Sequence, residues 1–289
     1  MGLSSNTLWH QTKKDGLKGI IKNQCLYLSY SLETATSNLY NGEFVFPMVS
    51  VCDLPLAETG NYLKKYGDYI IGFSAEWGRR NHFSSVWYCD QNSFTLKTMV
   101  EMLANRIKAI GDEVESDMDY QKIVYILSYI KLYEGPLPKR HFKNYRFYDE
   151  RELRYVPDAK TLSDYNQKQM LLNYEEYKKA HNNSSLLPKS LNIPFDWKDV
   201  KYIIVEREKE KIEFRNYIEK CSGMKDLNIS YLTNSEVKED IIGMCHDVPS
   251  PIQFEPVRVD IDKIVGGVLE KFKKKLLEEY KEKALDNKP

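Results

Sequence analysis

The sequence predicts an α+β fold, in which a strand-rich body carries a helical insertion and is followed by C-terminal helices. Three patterns indicate it. Short strand-like apolar runs recur through the first 90 residues, and two segments within residues 93–134 repeat apolar residues at helical spacing. Strand-like and helix-like segments then alternate beyond residue 160. We therefore predict two domains, a core with its insertion in residues 1–160 and an α/β completion with a long terminal helix in residues 161–289.

Six short segments within residues 1–160 have the composition and alternation of strands. In one of them Leu26, Leu28 and Tyr30 alternate along the chain, as expected for a half-buried strand. Pro47 interrupts another, and because proline donates no ladder hydrogen bond, we expect a sheet edge or a bulge there. The predicted strands are TLWHQT, CLYLSYS, EFVFPMVSVCDLP, DYIIGFSA, SSVWYC and FYDERELRYV.

The helices are predicted from apolar residues on one side of a 3.6-residue repeat. In DGLKGIIKNQ these residues are Leu17, Ile20 and Ile21, and a shorter helix, LAETGNYLKKYG, ends at Gly67. The insertion supplies SFTLKTMVEMLANRIKAIG, which Gly111 stops, and MDYQKIVYILSYIKLY. The later helices are DYNQKQMLLNYEEYKKAH, EKEKIEFRNYIEKC, NSEVKEDIIGMC and DIDKIVGGVLEKFKKKLLEEYKEKAL, with VKYIIVE and LNISYL as strands between them.

The composition excludes several classes of protein. Basic and acidic residues number 42 each, so a globally basic nucleic-acid binder is not indicated. No run of 18 apolar residues occurs and the first ten residues lack a secretory leader pattern, so we expect a cytoplasmic protein without membrane contact. Five scattered cysteines without a CxxC pair argue against a disulfide framework and against zinc.

Common catalytic signatures are absent from the sequence. The histidines have neither HxxxH nor HxH spacing, no GxxxxGK(S/T) or GxGxxG loop is present, and there is no GxSxG turn. We therefore predict no bound metal. The absent motifs also argue against the commonest classes of hydrolase and nucleotide kinase.

Two short segments carry the candidate chemistry. His10 and Thr12 lie two apart in a predicted strand, so they share a face and can bind the hydroxyls of a sugar. Glu150 and Glu152 repeat this spacing with Arg154 next along the face, and such a carboxylate pair can do acid–base work or stabilise a developing cation. The alternatives are a histidine satisfied within the core and a solvated strand face.

The first segment resembles a known motif. LWHQTKKDGLKGIIKNQCLYLS is similar to the opening of ADP-ribosyltransferases of the diphtheria-toxin, poly(ADP-ribose) polymerase and DarT types. The resemblance implies a split β-sheet core and NAD as co-substrate. It also implies that His10 and Thr12 orient the NAD ribose, that Glu152 drives loss of nicotinamide, and that Glu150 assists the acceptor.

Further residues complete this hypothetical pocket. Tyr62 or Tyr66 is in place to stack on nicotinamide, and Ser50 and Asp53 lie at the end of the preceding predicted strand. The alternative for all four is packing or, for Asp53, helix capping.

The segment PKRHFKNYRFYDER mixes basic and aromatic residues directly before the glutamates. Lys139, Arg140 and Arg146 in this segment, together with Arg154 shortly after it, are predicted to bind the substrate, and nucleic acid is one candidate substrate. A solvated, tyrosine-rich strand is the alternative.

A second resemblance covers more of the chain. LWHQTKKDGLKGIIKN, PMVSVCDLPL, YLKKYGDYIIGFSAEWG and FYDERELRYVP, within residues 7–157, resemble the AbiGi family of abortive-infection, phage-resistance proteins. That family is described as the antitoxin-like partner of a nucleotidyltransferase-type toxin, which implies a cognate toxin or antitoxin encoded nearby.

The two resemblances predict different functions. Our main expectation is an NAD-dependent ADP-ribosyltransferase that acts as a toxin in anti-phage abortive infection, with a protein or nucleic-acid acceptor. The alternative is a non-catalytic antitoxin or sensor that binds a partner. The ADP-ribosyltransferase expectation requires the side chains of His10, Thr12 and Glu152 to line one cleft.

Overall fold

A mixed eight-stranded sheet organises the chain in the computed structural model, which describes residues 6–37, 40–59, 67–137, 142–170, 178 and 187–238. The strand order is β14-β13-β5-β1-β4-β11-β6, and β3 pairs with β4. The strands are β1 (Thr7–Thr12), β2 (Cys25–Leu26), β3 (Ser29–Ser37), β4 (Tyr40–Cys52), β5 (Tyr69–Ser74), β6 (Ser84–Ser85), β7 (Trp87–Cys89), β8 (Ile130–Leu132), β9 (Glu134–Leu137), β10 (Phe142–Arg146), β11 (Glu152–Tyr155), β12 (Ile193–Pro194), β13 (Val200–Val205) and β14 (Ser230–Thr233).

Six helices have both ends in the described ranges, and residues 56–59 and 234–238 are also helical where described ranges end. The six are α1 (Lys14–Asn23), α2 (Ala75–Arg80), α3 (Phe94–Ile110), α4 (Met118–Leu127), α5 (Ala159–Ser163) and α6 (Glu208–Ser222), and 3-10 turns lie at Gly111–Ser116, Phe147–Glu150, Lys189–Leu191 and Trp197–Asp199. The mixed α+β class is therefore confirmed.

Local capping explains where the insertion helices begin and end. The Ser93 hydroxyl accepts a hydrogen bond from the Leu96 amide at the start of α3, and the Asp117 carboxylate accepts one from the Tyr120 amide at the start of α4. Gly111 ends α3 with a φ of 72°, a conformation that favours glycine, as the sequence predicts.

The sheet separates two apolar layers, as the alternation along β4 shows. Val49 and Val51 belong to the core that also contains residues of α1, α2 and α6. Phe46 and Met48 belong to a second core, built with the insertion helices α3 and α4. Successive strand residues point to opposite faces, so the two helical layers cover opposite sides of this strand.

Strands from both sides of residue 160 join the same sheet. β13 pairs with β5 in antiparallel fashion and with β14 in parallel, and α6 connects β13 to β14. The chain divides into two compact units, residues 1–246 and 247–289, and all described residues lie in the first. The predicted boundary at residue 160 stays a prediction.

Several predicted elements differ in the structure. SSVWYC forms two strands rather than one, because β6 pairs with β11 whereas β7 pairs in parallel with β8. The second insertion helix ends at Leu127, and Ile130 begins β8. Of the helix predicted at 164–181, residues 164–166 form a turn, residues 167–170 are irregular and residue 178 is helical, whereas the other residues lie outside the described part of the chain. The predicted terminal helix also lies outside the described residues.

Pro47 lies inside β4 rather than at a bulge. It pairs with Tyr30 in an uninterrupted register with β3, and β4 as a whole lies between β1 and β11 in the strand order. Among the described pairings, β1 and β11 reach β4 only from Val49 onward. A residue without an N–H group is tolerated there because the ladder at Pro47 has one described partner strand.

Candidate functional site

His10 and Glu152 point to opposite faces of the sheet. Trp9 pairs with Cys52, and Cys52 pairs with Glu152, all in antiparallel register. Directly opposed residues of antiparallel strands share a face, so Trp9 is the β1 residue on the side of Glu152. His10, one residue further along, pairs with the core residue Ile71 and faces the other way. The structure does not bring the two predicted catalytic residues into one cleft.

His10 is held by the backbone of β4. Its Nδ1 lies 3.0 Å from the Ser50 carbonyl oxygen. A carbonyl only accepts, so Nδ1 carries the hydrogen. Burial lowers the pKa of His10, and the hydrogen bond to Ser50 offsets this only in part. The imidazole of His10 is therefore neutral and packs within the sheet.

Thr12 shares the face of His10 and lies against the first turn of α1. A Cβ atom at Gly16 would lie only 2.2 Å from the Thr12 hydroxyl oxygen, so glycine allows this close approach. Thr12 therefore contacts a helix on the side of the sheet away from Glu152.

Glu152 lies in a buried group of charges that we call the Arg154 cluster: Glu33, Lys131, Glu150, Glu152 and Arg154. One oxygen of Glu152 accepts from the Ser50 hydroxyl at 2.6 Å and from Arg154 Nε at 2.7 Å. The other accepts from Lys131 Nζ at 2.7 Å and from Arg154 Nη2 at 3.2 Å. Each carboxylate oxygen thus has two donors.

Glu150 joins this cluster by a route that differs from the predicted strand spacing. It ends the 3-10 turn Phe147–Glu150, and Arg151 follows with a φ of 46°, so β11 begins only at Glu152. The two carboxylates meet because Lys131 Nζ bridges them, 2.9 Å from Glu150 Oε2. Glu150 and Glu152 therefore do not share the strand face that the sequence predicted, but share Lys131 as a partner.

Arg154 is fully buried and ties three elements together. Its Nη1 donates to the Ser128 carbonyl at 2.6 Å, just after α4, and its Nη2 donates to Glu33 Oε1 of β3 at 2.6 Å. Its Nε reaches Glu152 on its own strand. A substrate-binding role does not fit this side chain, because no surface of it is open to a ligand.

The protonation states of the cluster follow from burial and from neighbouring charges. Burial raises the pKa of Glu152, but the charges of Arg154 and Lys131 and their hydrogen bonds outweigh it and hold that pKa well below its usual value. Burial also raises the pKa of Glu33, which Arg154 and Lys131 offset only in part. A cavity of about 20 Å³ beside Glu33 and Lys131 has room for about one water molecule.

The other predicted site residues are scattered. The Asp53 amide donates to the Arg151 carbonyl at 3.0 Å, and its carboxylate lies 3.8 Å from the Arg151 guanidinium. Arg146 is exposed and lies 3.9 Å from Asp149. The remaining predicted residues, Tyr62, Tyr66, Lys139 and Arg140, lie outside the described residues.

Sequence reasoning missed Lys131 and Glu33, which complete the cluster. Lys131 is the single charge within the apolar run YILSYIKLY, and a lysine so placed needs a buried partner. That signal was present. Glu33 lies in the polar stretch SLETATS, where nothing marks it as buried.

A second group on the opposite face also escaped prediction, and we call it the Glu210 cluster: Lys14, Tyr69, Arg207, Glu210 and Glu213. One oxygen of buried Glu210 accepts from Lys14 Nζ at 2.8 Å and from the Tyr69 hydroxyl at 2.9 Å. The other accepts from the Arg207 amide at 3.1 Å. This cluster joins α1 to the first turn of α6.

The described residues offer neither a metal site nor a spanning helix. No group of three or more histidine, cysteine, aspartate or glutamate side chains among them is arranged to hold a metal ion. In the same part of the chain, every helix is too short or too polar to cross a membrane.

Fold and site together define an α+β protein whose central acidic residue is locked in a buried ionic cluster. A family model described as "Putative abortive phage resistance protein AbiGi, antitoxin" matches residues 24–206, well over half of the chain. The chain therefore belongs to the AbiGi family. Comparisons with curated proteins and with solved structures find no match.

The family corrects our main functional expectation. The match is to an antitoxin, so the predicted NAD-dependent ADP-ribosyltransferase toxin is wrong, and the alternative agrees better with the finding. The resemblance to ADP-ribosyltransferases, with its NAD co-substrate and split-sheet core, receives no support from any matched structure. The AbiGi resemblance and its link to abortive infection are confirmed.

Proposed function

We propose that this chain is a non-catalytic antitoxin, which binds a cognate toxin in the cytoplasm as part of anti-phage abortive infection. The observation that carries the proposal is the AbiGi antitoxin match over residues 24–206. The partner we propose is a toxin protein encoded by a neighbouring gene, of the nucleotidyltransferase type.

The state of Glu152 supports a binding role over a catalytic one. A catalytic carboxylate must reach the reacting atoms of its substrate. Glu152 is buried, and each of its oxygens accepts hydrogen bonds from two donors of the protein itself. The adjoining cavity of about 20 Å³ is far too small for a substrate. These charges support a scaffold that holds the insertion on the sheet.

Expression in growing cells tests the proposal. The product of the neighbouring gene is expressed alone, with this chain, or with this chain interrupted by an early stop codon. We expect growth arrest in the first and third cultures and normal growth in the second, because only translated antitoxin restrains the toxin. The stop-codon control separates the protein from its messenger RNA.

A fourth culture expresses this chain alone, and we expect it to grow normally. Growth arrest by this chain alone would contradict an antitoxin role. So would unchanged arrest when both intact proteins are present at equal levels, as measured by immunoblotting.

A further inference from the structure

A polar cleft of about 630 Å³ lies between the insertion and the segment that follows β11. One wall consists of the 3-10 turn Gly111–Ser116 and the first turn of α4, and the other consists of α5 and residues 166–170. We call it the Tyr120 cleft. Small-molecule sites typically have volumes of about 300–1,000 Å³, so the Tyr120 cleft has room for a small organic ligand.

Polar contacts fix the shape of the Tyr120 cleft. Lys168 Nζ lies 3.0 Å from Glu115 Oε1 of the opposite wall. Gln169 Nε2 also bridges the walls and donates to the Gln121 carbonyl oxygen at 3.1 Å, while Gln121 Nε2 donates to the Glu115 carbonyl oxygen at 3.0 Å. Because these contacts already hold the walls in place, a ligand can bind with little further ordering of the protein.

Tyr120 brings a buried hydroxyl group to the cleft. Its side chain is 5% exposed and packs in the core of the insertion, and it also lines the cleft. Within the described part of the chain its hydroxyl has no hydrogen-bond partner. Burial and the negative charge of Glu115 raise the pKa of Tyr120 to about 12, so the hydroxyl keeps its proton at pH 7. Buried tyrosine hydroxyls usually have a partner, so this one is available to a ligand.

A second polar atom on the opposite wall is also unsatisfied. Gln169 Oε1 is buried and makes no hydrogen bond to any described residue. An amide oxygen only accepts, so a donor is needed to satisfy it. Buried polar atoms without a partner are rare in folded proteins, and here one from each wall belongs to the same cleft.

The insertion side of the cleft is strongly acidic. Residues 111–120 include five acidic residues and no basic one. Lys168 neutralises Glu115 across the cleft, but Glu113 is exposed at the cleft and has no salt-bridge partner among the described residues. Carboxylates in excess along the wall of a cleft concentrate cations there, so an anionic ligand is disfavoured.

The unsatisfied groups and the charge select the same ligand chemistry. The Glu113 and Glu115 carboxylates and Gln169 Oε1 accept hydrogen bonds and cannot donate them. Ammonium and guanidinium groups donate several hydrogen bonds and carry positive charge, so their hydrogen bonds to carboxylates are of the strong, charge-assisted kind. The buried Met170 side chain adds an apolar surface for the aliphatic part of such a ligand.

We propose that the Tyr120 cleft binds a ligand that carries an ammonium or guanidinium group on a flexible aliphatic chain. Glu113 and Glu115 neutralise the cation, and the Tyr120 hydroxyl oxygen accepts one of its hydrogen bonds. Free polyamines share this chemistry with the lysine and arginine side chains of a bound protein. Binding of a cation here is independent of the proposed antitoxin role.

Titration calorimetry of the full-length chain tests the cleft and the source of the cation. Spermidine represents the free polyamines, and N-acetyl-arginine amide represents the side chain of a bound protein. We expect saturable binding of at least one probe, which Mg²⁺ at equal charge concentration does not displace. The tighter probe identifies the source. Binding of neither probe, or displacement by Mg²⁺, would overturn the proposal.

Glu115→Gln and Glu208→Gln form a matched pair of variants. Both residues are exposed and paired with a lysine, Glu115 with Lys168 at 3.0 Å and Glu208 with Lys211 at 2.9 Å, but Glu208 lies on α6. Losing a hydrogen bond to a charged group should weaken binding of the tighter probe about tenfold in Glu115→Gln. Glu208→Gln should bind as wild type does. Equal affinities in the two variants would contradict the site.

Two further variants separate ligand contacts from structural effects. Tyr120→Phe removes only the unpartnered hydroxyl, so its thermal melt should match wild type while probe affinity falls about threefold. Lys168→Ala should bind the probe more tightly, because it releases Glu115 from its ion pair, and a damaged fold could not produce such a gain. Unchanged affinity in Tyr120→Phe, or weaker binding in Lys168→Ala, would refute the proposed contacts.

Discussion

The Arg154 cluster and the Glu210 cluster use the same kinds of residue on opposite faces of one sheet, yet they differ in access to water. In the first, Glu150, Glu152 and Arg154 are all buried. In the second, only Glu210 is buried among the charged members, and the side chains of Lys14 and Glu213 are 32% and 41% exposed. Water replaces a lost partner less readily in the first cluster, where the Glu33 side chain is 19% exposed and the adjoining cavity has room for about one water molecule. An identical change therefore costs more in the first cluster.

The largest effect is expected from Arg154→Ala. It leaves Glu33 and Glu152 without their shared guanidinium and the Ser128 carbonyl without its donor. Removing one partner of a buried ion pair costs about 3–5 kcal/mol, so the free energy of unfolding from urea titration should fall by that amount. A loss below about 1 kcal/mol would show that water reaches the cluster.

Glu152→Gln should rank second, with a loss of about 2–3 kcal/mol at pH 7, typical of hydrogen bonds to a charged group. Because the folded pKa of Glu152 lies below its ordinary value of 4.5, its charge stabilises the fold above that pH. This contribution is lost as the pH falls further. The gap between wild type and variant should therefore narrow below pH 4.5 in urea titrations, and a gap independent of pH would contradict the assignment.

Glu210→Gln should have a smaller effect, about 1 kcal/mol at pH 7, because its charged partners Lys14 and Arg207 reach solvent. Burial raises the pKa of Glu210, but hydrogen bonds from Lys14 and Tyr69 outweigh it and lower that pKa from 4.5 to about 2. The wild-type contribution is complete above pH 4.5 and lost as the pH falls toward 2. The variant's stability should change less with pH across that interval.

The smallest effect is expected from Lys160→Ala, which serves as the control for the other three. Lys160 and Asp164 lie 3.4 Å apart, and their side chains are 86% and 60% exposed. Exposed pairs of this kind contribute little, so unfolding free energy should change by less than about 0.5 kcal/mol. A larger change would mean that the burial of a charged pair does not determine how much it contributes to the free energy of unfolding.

Local periodicity was enough to predict many elements. Leu17, Ile20 and Ile21 mark the buried side of α1, and the apolar repeat from Leu96 to Leu103 marks that of α3, in agreement with the structure. These predictions depend only on the spacing of residues close together in the chain. That spacing has the same geometry in any helix, whatever the overall fold. The two-strand division of SSVWYC was not predictable, because it depends on pairing with distant β11 and β8.

The candidate site was predicted less well for the same physical reason. Ser50, predicted to line the same pocket, lies beside Glu152, and its hydroxyl donates to that carboxylate. Placing His10 in the same cleft failed, because a shift of one residue in strand register moves a side chain to the opposite face. Motif order along the chain contains no information about that register.

The sequence by itself determined the α+β class, the helical insertion and the family resemblance, because each follows from local patterns of residues. Only the tertiary structure decided that Trp9 rather than His10 shares the face of Glu152, and that Lys131 and Glu33 enclose it. The register of strands far apart in sequence and the exclusion of water around their side chains are properties of the assembled sheet. Because of them, Glu152, which the sequence predicted to be catalytic, lies at the centre of a buried ionic cluster.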